Sequence, residues 1–128
     1  MSYHFSKKLR VSFDGAIVKV TDELKKEGFG ILTEIDVKET LKKKLNVDFK
    51  KYRILGACNP PIAYQALQAE DKIGTMLPCN VIIQEHADGQ VEVSAVDPVA
   101  SMQAISNPQL GALAKQVQAK LRIVIDNL

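Results

Sequence analysis

The chain has 128 residues, which is enough for one domain with a single core and too few for two ordinary domains. Hydrophobic residues make up 46% of it and charged residues 25%, a balance typical of soluble proteins that excludes a disordered chain. The net charge is +2, and no apolar run approaches the ~20 residues that a membrane-spanning helix needs. We therefore expect a single domain over residues 1–128 and no membrane partner.

The charge is unevenly distributed along the chain. Residues 38–53 carry seven basic residues against Glu39 and Asp48, a local balance of +5. Such a patch can attract nucleic acid or an anionic ligand. No aromatic or arginine-rich pattern accompanies the lysines, so we interpret them as a solvated helix face and do not expect nucleic acid to be a partner.

The N-terminal stretch MSYHFSKKLR has basic residues but no apolar segment after them, so it does not look like a secretory signal. We therefore expect a cytoplasmic protein. Two cysteines are normally reduced in that compartment, and they are too few to form a disulfide scaffold.

The first third of the chain has the period of a strand and then that of a helix. A half-buried strand over residues 3–11 is predicted from the residues at alternate positions, which are Tyr3, Phe5, Lys7, Leu9 and Val11. Helical spacing then predicts a helix over residues 14–27 with Asp14 as its N-cap. A strand over residues 30–35 and a short amphipathic helix capped by Asp36 are predicted to follow.

A strand over residues 52–57 is predicted to lead directly into a helix over residues 60–71. Asn59 is the predicted N-cap of this helix, because its side-chain oxygen can accept a bond from a free N–H, and the proline after it has no N–H to lose.

The C-terminal half contains a hairpin and capped helices. Strands over residues 76–86 and 90–96 are predicted, joined by a tight two-residue turn at Asp88-Gly89. Asp97-Pro98 and Asn107-Pro108 are each predicted to open a helix. The last helix has an apolar stripe: Leu110, Leu113, Ala114, Val117, Leu121 and Val124. This order favours a two-layer α+β domain with a mostly antiparallel sheet of about five strands and helices on one face.

The dipeptide Cys-Asn occurs twice, at Cys58-Asn59 and at Cys79-Asn80. The first ends a strand and the second lies early in another. If these strands are neighbours, both dipeptides meet at one rim of the sheet, a position that Pro78 supports because proline cannot donate to a central ladder. We predict a ligand site there with these residues: Cys58, Asn59, Tyr64, Glu70, Cys79 and Asn80.

Two hypotheses of different classes follow from this rim. A helix N-terminus favours anions, so the first is a small polar or anionic ligand held by that terminus and the amides. The second is a thiol-dependent redox or catalytic protein that uses Cys58 and Cys79, although only His4 and His86 exist as bases. A third interpretation treats the cysteines as small buried hydrophobes and the asparagines as cap and turn residues, in a domain that acts through its dimer face.

A metal or cofactor site is not predicted. Two cysteines and two dispersed histidines lack any recognised ligand spacing, and no glycine-rich phosphate loop is present.

The segments around the two cysteines also match a known family pattern. The matching residues are Gly56-Ala57-Cys58-Asn59-Pro60, Ala63, Ala66, Leu67, Glu70, Gly74, Leu77-Pro78-Cys79-Asn80-Val81, Glu85, Val93 and Asp97-Pro98. On these residues the sequence resembles the bacterial and archaeal family named domain of unknown function 302. The resemblance implies a fold similar to the TATA-binding-protein arrangement and often a homodimer. It implies no established activity, and fold alone gives no reason to expect DNA binding.

Overall fold

Five strands form one antiparallel sheet. A computed structural model describes residues 2–128. The strands are β1 (His4–Leu9), β2 (Gly30–Asp36), β3 (Tyr52–Cys58), β4 (Cys79–Glu85) and β5 (Val91–Val96). They lie in the order β1-β5-β4-β3-β2, and every neighbouring pair is antiparallel. The predicted α+β class with an antiparallel sheet of about five strands is confirmed.

The helices are α1 (Phe13–Lys26), α2 (Val37–Leu45), α3 (Pro60–Ala69), α4 (Pro98–Ser101) and α5 (Pro108–Asp126). A short 3-10 turn over Ile73–Met76 precedes β4. No helix within residues 2–128 combines the length and the apolar character that crossing a bilayer requires.

Side-chain caps begin most of these helices. Asp36 accepts a bond from the backbone N–H of Glu39 at 3.0 Å, which confirms it as the cap of α2. The predicted cap of α1 is wrong, because Ser12 rather than Asp14 accepts a bond from Gly15, also at 3.0 Å. Asp14 lies in the first turn instead, where the helix dipole favours a carboxylate.

The core lies between the sheet and α1 and α5. Alternate residues of the central strands point to this inner face and are buried: Leu55, Ala57, Val81, Ile83, Val91, Val93 and Ala95. The predicted apolar stripe of α5 is buried along its whole length, so this helix forms much of the layer that covers the sheet.

The predicted hairpin between β4 and β5 is confirmed, but its turn is longer than two residues. The N–H of His86 donates to the carbonyl of Gln90 at 2.8 Å, which leaves three residues in the loop. Gly89 is the last of them and has φ +83°, the left-handed conformation that such loops place before the returning strand. The predicted start of β4 at Met76 is also wrong, because the strand begins only at Cys79, after Pro78.

Candidate functional site

Both cysteines lie at the same end of the sheet. β3 and β4 are neighbours, and their register pairs Ala57 with Cys79. Cys58 is the next residue along β3, and α3 begins two residues later at Pro60. The predicted meeting of the two cysteine segments at one rim is therefore confirmed.

A cavity of about 370 Å³ opens at this rim. The sheet end contributes Ala57, Cys58, Asn59 and Cys79, and the connection before β4 contributes Gly74, Leu77 and Pro78. Two helices form facing walls, with Ile62, Ala63, Ala66 and Leu67 on α3 and Leu110, Leu113, Ala114 and Val117 on α5. Of the lining residues that the structure describes, none is charged, and Asn59 alone has a side-chain amide.

Only three of the six predicted site residues line the cavity: Cys58, Asn59 and Cys79. Asn80 is exposed on the other face of the sheet, because successive residues of a strand point to opposite faces. Tyr64 is 64% exposed on the outer side of α3. Glu70 ends α3 and accepts a bond from the Asn107 amide at 3.3 Å, away from the lining.

The protein-family comparison decides which family this fold and rim belong to. The protein-family model described as "Domain of unknown function DUF302" matches residues 5–128. The chain belongs to this family. A DUF302 protein from Bacillus stearothermophilus, described as an uncharacterized conserved protein, has a similar crystal structure, with a TM-score of 0.91 and 26% identity over 98% of each chain. A comparison with curated proteins found no match.

Asn59 holds the start of α3 in this DUF302 chain in an unexpected way. The predicted side-chain cap is wrong, because no cap bond forms, and Nδ2 instead donates to the carbonyl of Glu27 at 3.2 Å. The usual donors to such a cap are the second and third helical N–H groups, and Pro61 at the second position has none. Asn59 therefore ties α3 to the end of α1.

The same prolines weaken the N-terminus of α3 as an anion site. Pro60 and Pro61 have no N–H, and the N–H of Ala63 donates to the Asn59 carbonyl at 2.9 Å. Ile62 is then the one residue of this first turn whose N–H is left to meet a ligand. An anion at a helix N-terminus normally uses several such groups, so this terminus does not favour the polar or anionic ligand that the sequence predicts.

The two cysteines are free thiols in different surroundings. Cys79 is only 9% exposed, whereas Cys58 is half-buried. Burial, together with a smaller effect of the nearby Cys58, raises the pKa of the Cys79 thiol from 9.0 to about 11. Cys79 is therefore protonated at neutral pH and packs as a small apolar side chain.

This pKa predicts a loss of stability at high pH. The folded pKa of Cys79 lies above its ordinary value of 9.0, so its stabilising contribution is complete below pH 9 and is lost as the pH rises to about 11. We expect the free energy of unfolding to fall by on the order of 2–3 kcal/mol over this interval. Urea unfolding at both ends of it measures the fall.

The Cys79→Ala variant is the control, since lysines and tyrosines titrate in the same interval. We expect its free energy of unfolding to fall less than that of the wild type over the same pH interval. Equal slopes for the two proteins would contradict a buried, protonated thiol.

No cluster of three or more His, Cys, Asp or Glu side chains that could hold a metal ion occurs within residues 2–128. The expectation of no metal and no cofactor stays a prediction.

Sequence reasoning missed the helical walls of the cavity. Ala63 and Ala66 lie on one face of α3, and Ala114 lies across from them on α5. These alanines are too short to fill the space between two helices. Small residues at facing helix positions were the available signal, but the pairing of α3 with α5 was needed to interpret it.

Proposed function

We propose that this protein is a binding domain whose cavity takes a small, mainly apolar molecule. The observation that carries the proposal is the uncharged cavity of about 370 Å³, which lies within the range of about 300–1,000 Å³ typical of small-molecule sites. Burial of apolar ligand surface against α3 and α5 supplies the binding free energy, at about 25 cal/mol per Å².

Two exposed leucines support an entry route. Leu32 and Leu67 both line the cavity, yet they are 66% and 46% exposed. The cavity therefore opens to solvent between β2 and α3. A ligand that enters there covers apolar surface that is otherwise in contact with water.

Asn59 is the candidate for orienting the ligand. Its Nδ2 already donates to Glu27, so we expect its Oδ1 to accept a hydrogen bond from a hydroxyl or amine of the ligand. The proposed ligand class is therefore an apolar body with a single donor group, such as an aromatic or aliphatic alcohol or amine.

Filling the cavity is expected to abolish binding. In Ala63→Phe, a phenyl ring occupies the space between α3 and α5, and we expect the thermal shift caused by a panel of aromatic and aliphatic alcohols and amines to disappear. Isothermal titration of the compounds that stabilise the wild type measures the loss of affinity.

The matched control is Ala119→Phe, which places the same side chain on the exposed side of α5. We expect it to bind like the wild type. A melting temperature without ligand shows that each variant is folded. Unchanged binding in folded Ala63→Phe would contradict the proposal.

The rival hypothesis of a thiol-dependent redox or catalytic protein rests on Cys58 and Cys79. It requires a reactive thiolate at each site, whereas Cys79 is buried and protonated at neutral pH. The rival predicts fast maleimide labelling of both cysteines near neutral pH. We expect labelling of Cys79 only after unfolding.

Two free thiols also accord with the cytoplasmic location that we propose.

We also propose a homodimer formed through the outer face of the sheet. Cross-strand pairs place Ile35, Ile54 and Ile82 in one row across β2, β3 and β4, followed by Ser94 and Ser6. The row is uncharged, and Ile35 is 46% exposed at its end. A two-fold axis along this row brings each isoleucine against its own copy.

A lysine in this row is expected to separate the two copies. In Ile35→Lys, two like charges face each other across the axis, and sedimentation velocity should show a monomer. Val18→Lys, at a 61% exposed position on α1, should sediment like the wild type. A wild-type protein that sediments as a monomer would contradict the dimer.

A further inference from the structure

Residues 37–51, which we term the basic arm, pack loosely on the rest of the chain. The arm comprises α2 and the connection to β3. α2 has no fully buried residue: on its apolar face Val37 and Leu41 are half-buried, and Leu45 is 65% exposed. This is unusual for an amphipathic helix, which normally buries its apolar face.

Three apolar side chains project where α2 ends. Leu45, Val47 and Phe49 are 65%, 43% and 39% exposed and occupy alternate positions. Asn46 between the first two has φ +53°, the left-handed conformation that ends the helix and redirects the chain. Their exposure leaves an apolar patch that the fold itself does not cover.

Lysines lie beside this apolar patch: Lys50 Nζ is 5.9 Å from the centre of the Phe49 ring, and Lys38 Nζ donates to the Phe49 carbonyl at 2.8 Å. The arm contains six lysines against Glu39 and Asp48, a balance of +4. Both acids are engaged in exposed ion pairs, Lys42–Asp48 at 3.3 Å and Lys43–Glu39 at 2.7 Å, so four lysines of the arm have no acidic partner within it. The arm therefore presents a positive field together with exposed apolar groups.

We propose that the basic arm is a docking surface for an anionic phospholipid membrane. Peripheral membrane binding combines attraction of lysines to anionic headgroups with insertion of apolar side chains into the headgroup region. A second copy of this chain is disfavoured on this surface because +4 would face +4. A nucleic acid would use the lysines but gives no role to Leu45 or Val47. This proposal departs from the expectation of no membrane partner, which rested only on the lack of a long apolar run, because surface contact needs no membrane-spanning segment.

A tryptophan reporter tests this proposal directly, because the chain contains no tryptophan. In Phe49→Trp, we expect a blue shift of the emission and co-sedimentation with vesicles of equal parts phosphatidylcholine and phosphatidylglycerol. Vesicles of phosphatidylcholine alone should give neither effect, and binding should weaken in high salt. Tyr64→Trp, an exposed position on α3, is the matched control and should show no shift.

A second variant distinguishes binding to a membrane from binding to a soluble polyanion. Adding Leu45→Ser to Phe49→Trp should weaken vesicle binding about tenfold, because one inserted leucine is lost. Two outcomes would overturn the proposal. One is no blue shift with the anionic vesicles. The other is salt-sensitive binding that Leu45→Ser leaves unchanged, which would assign the arm to a polyanion such as nucleic acid or an acidic protein.

Discussion

Replacing Gly56 by alanine is expected to lower the free energy of unfolding by about 3 kcal/mol, at the upper end of what overpacking costs. A Cβ at this position would collide with Oγ1 of Thr33 and would lie 2.7 Å from Cγ of Pro78. Both neighbours are stiff, because threonine is branched at Cβ and the proline side chain is a closed ring. Neither can move away cheaply, so β2 and the segment before β4 must shift instead.

Urea unfolding measures this loss. Gly30→Ala is the matched control, because nothing lies within 4 Å of a Cβ placed there, and we expect its stability to change little. Adding Thr33→Ala to Gly56→Ala removes the worst collision and should restore part of the loss. Wild-type stability of the single Gly56→Ala variant would show that β2 and β3 are less closely packed at this point than the structure shows.

Leu121→Ala is expected to destabilise the protein by about 2–5 kcal/mol, since the variant loses buried methyl groups and leaves a void between α5 and the sheet. Leu121 is 0% exposed and belongs to the central core cluster. Ile123 lies two residues further along α5 and is 44% exposed. We expect Ile123→Ala to cost much less, because its side chain contacts water already.

Thermal or urea unfolding of the two variants checks the orientation of α5. The ratio of the two losses in free energy of unfolding matters more than either value, because both substitutions remove aliphatic groups from the same helix. Equal losses would mean that α5 presents a different face to the sheet.

The parts of the fold that sequence predicted correctly depend on local signals. The cap at Asp36, the hairpin around Gly89 and the stripe of α5 each follow from residues close together in the chain. The cap predicted at Asn59 does not form, although Asn-Pro is a favourable helix start. Pro61 removes one of the two N–H groups that such a cap uses, and the Asn59 amide donates to Glu27 instead.

The candidate site was predicted only in part, because it depends on which face each residue occupies. Cys79 and Asn80 are neighbours in sequence, yet the alternation of β4 sends them to opposite faces of the sheet. Tyr64 is two positions from Ile62 and Ala66 on α3, so it points away from the cavity. The site predicted from the sequence is therefore more polar than the cavity that the structure shows.

The sequence predicts a polar or anionic ligand, whereas the ligand proposed from the structure is mainly apolar. The difference follows from how the cavity forms. Its walls come from α3 and α5, which are far apart in sequence, and the alanines on the two facing helices leave the space between them. The resemblance to a family of unknown function located the rim but gave no ligand. The chemistry of the lining is therefore the basis for the proposed ligand class.

Methyl-resolved NMR titration with the tightest-binding apolar alcohol or amine tests the cavity as a ligand site most directly. The account predicts that the largest shift changes occur at the methyl groups of Ala63, Ala114 and Val117, which line the cavity. Methyl groups of Ile54 and Ile82 on the outer face should remain unchanged. Shift changes confined to those isoleucines, or no binding by any compound of the panel, would contradict it.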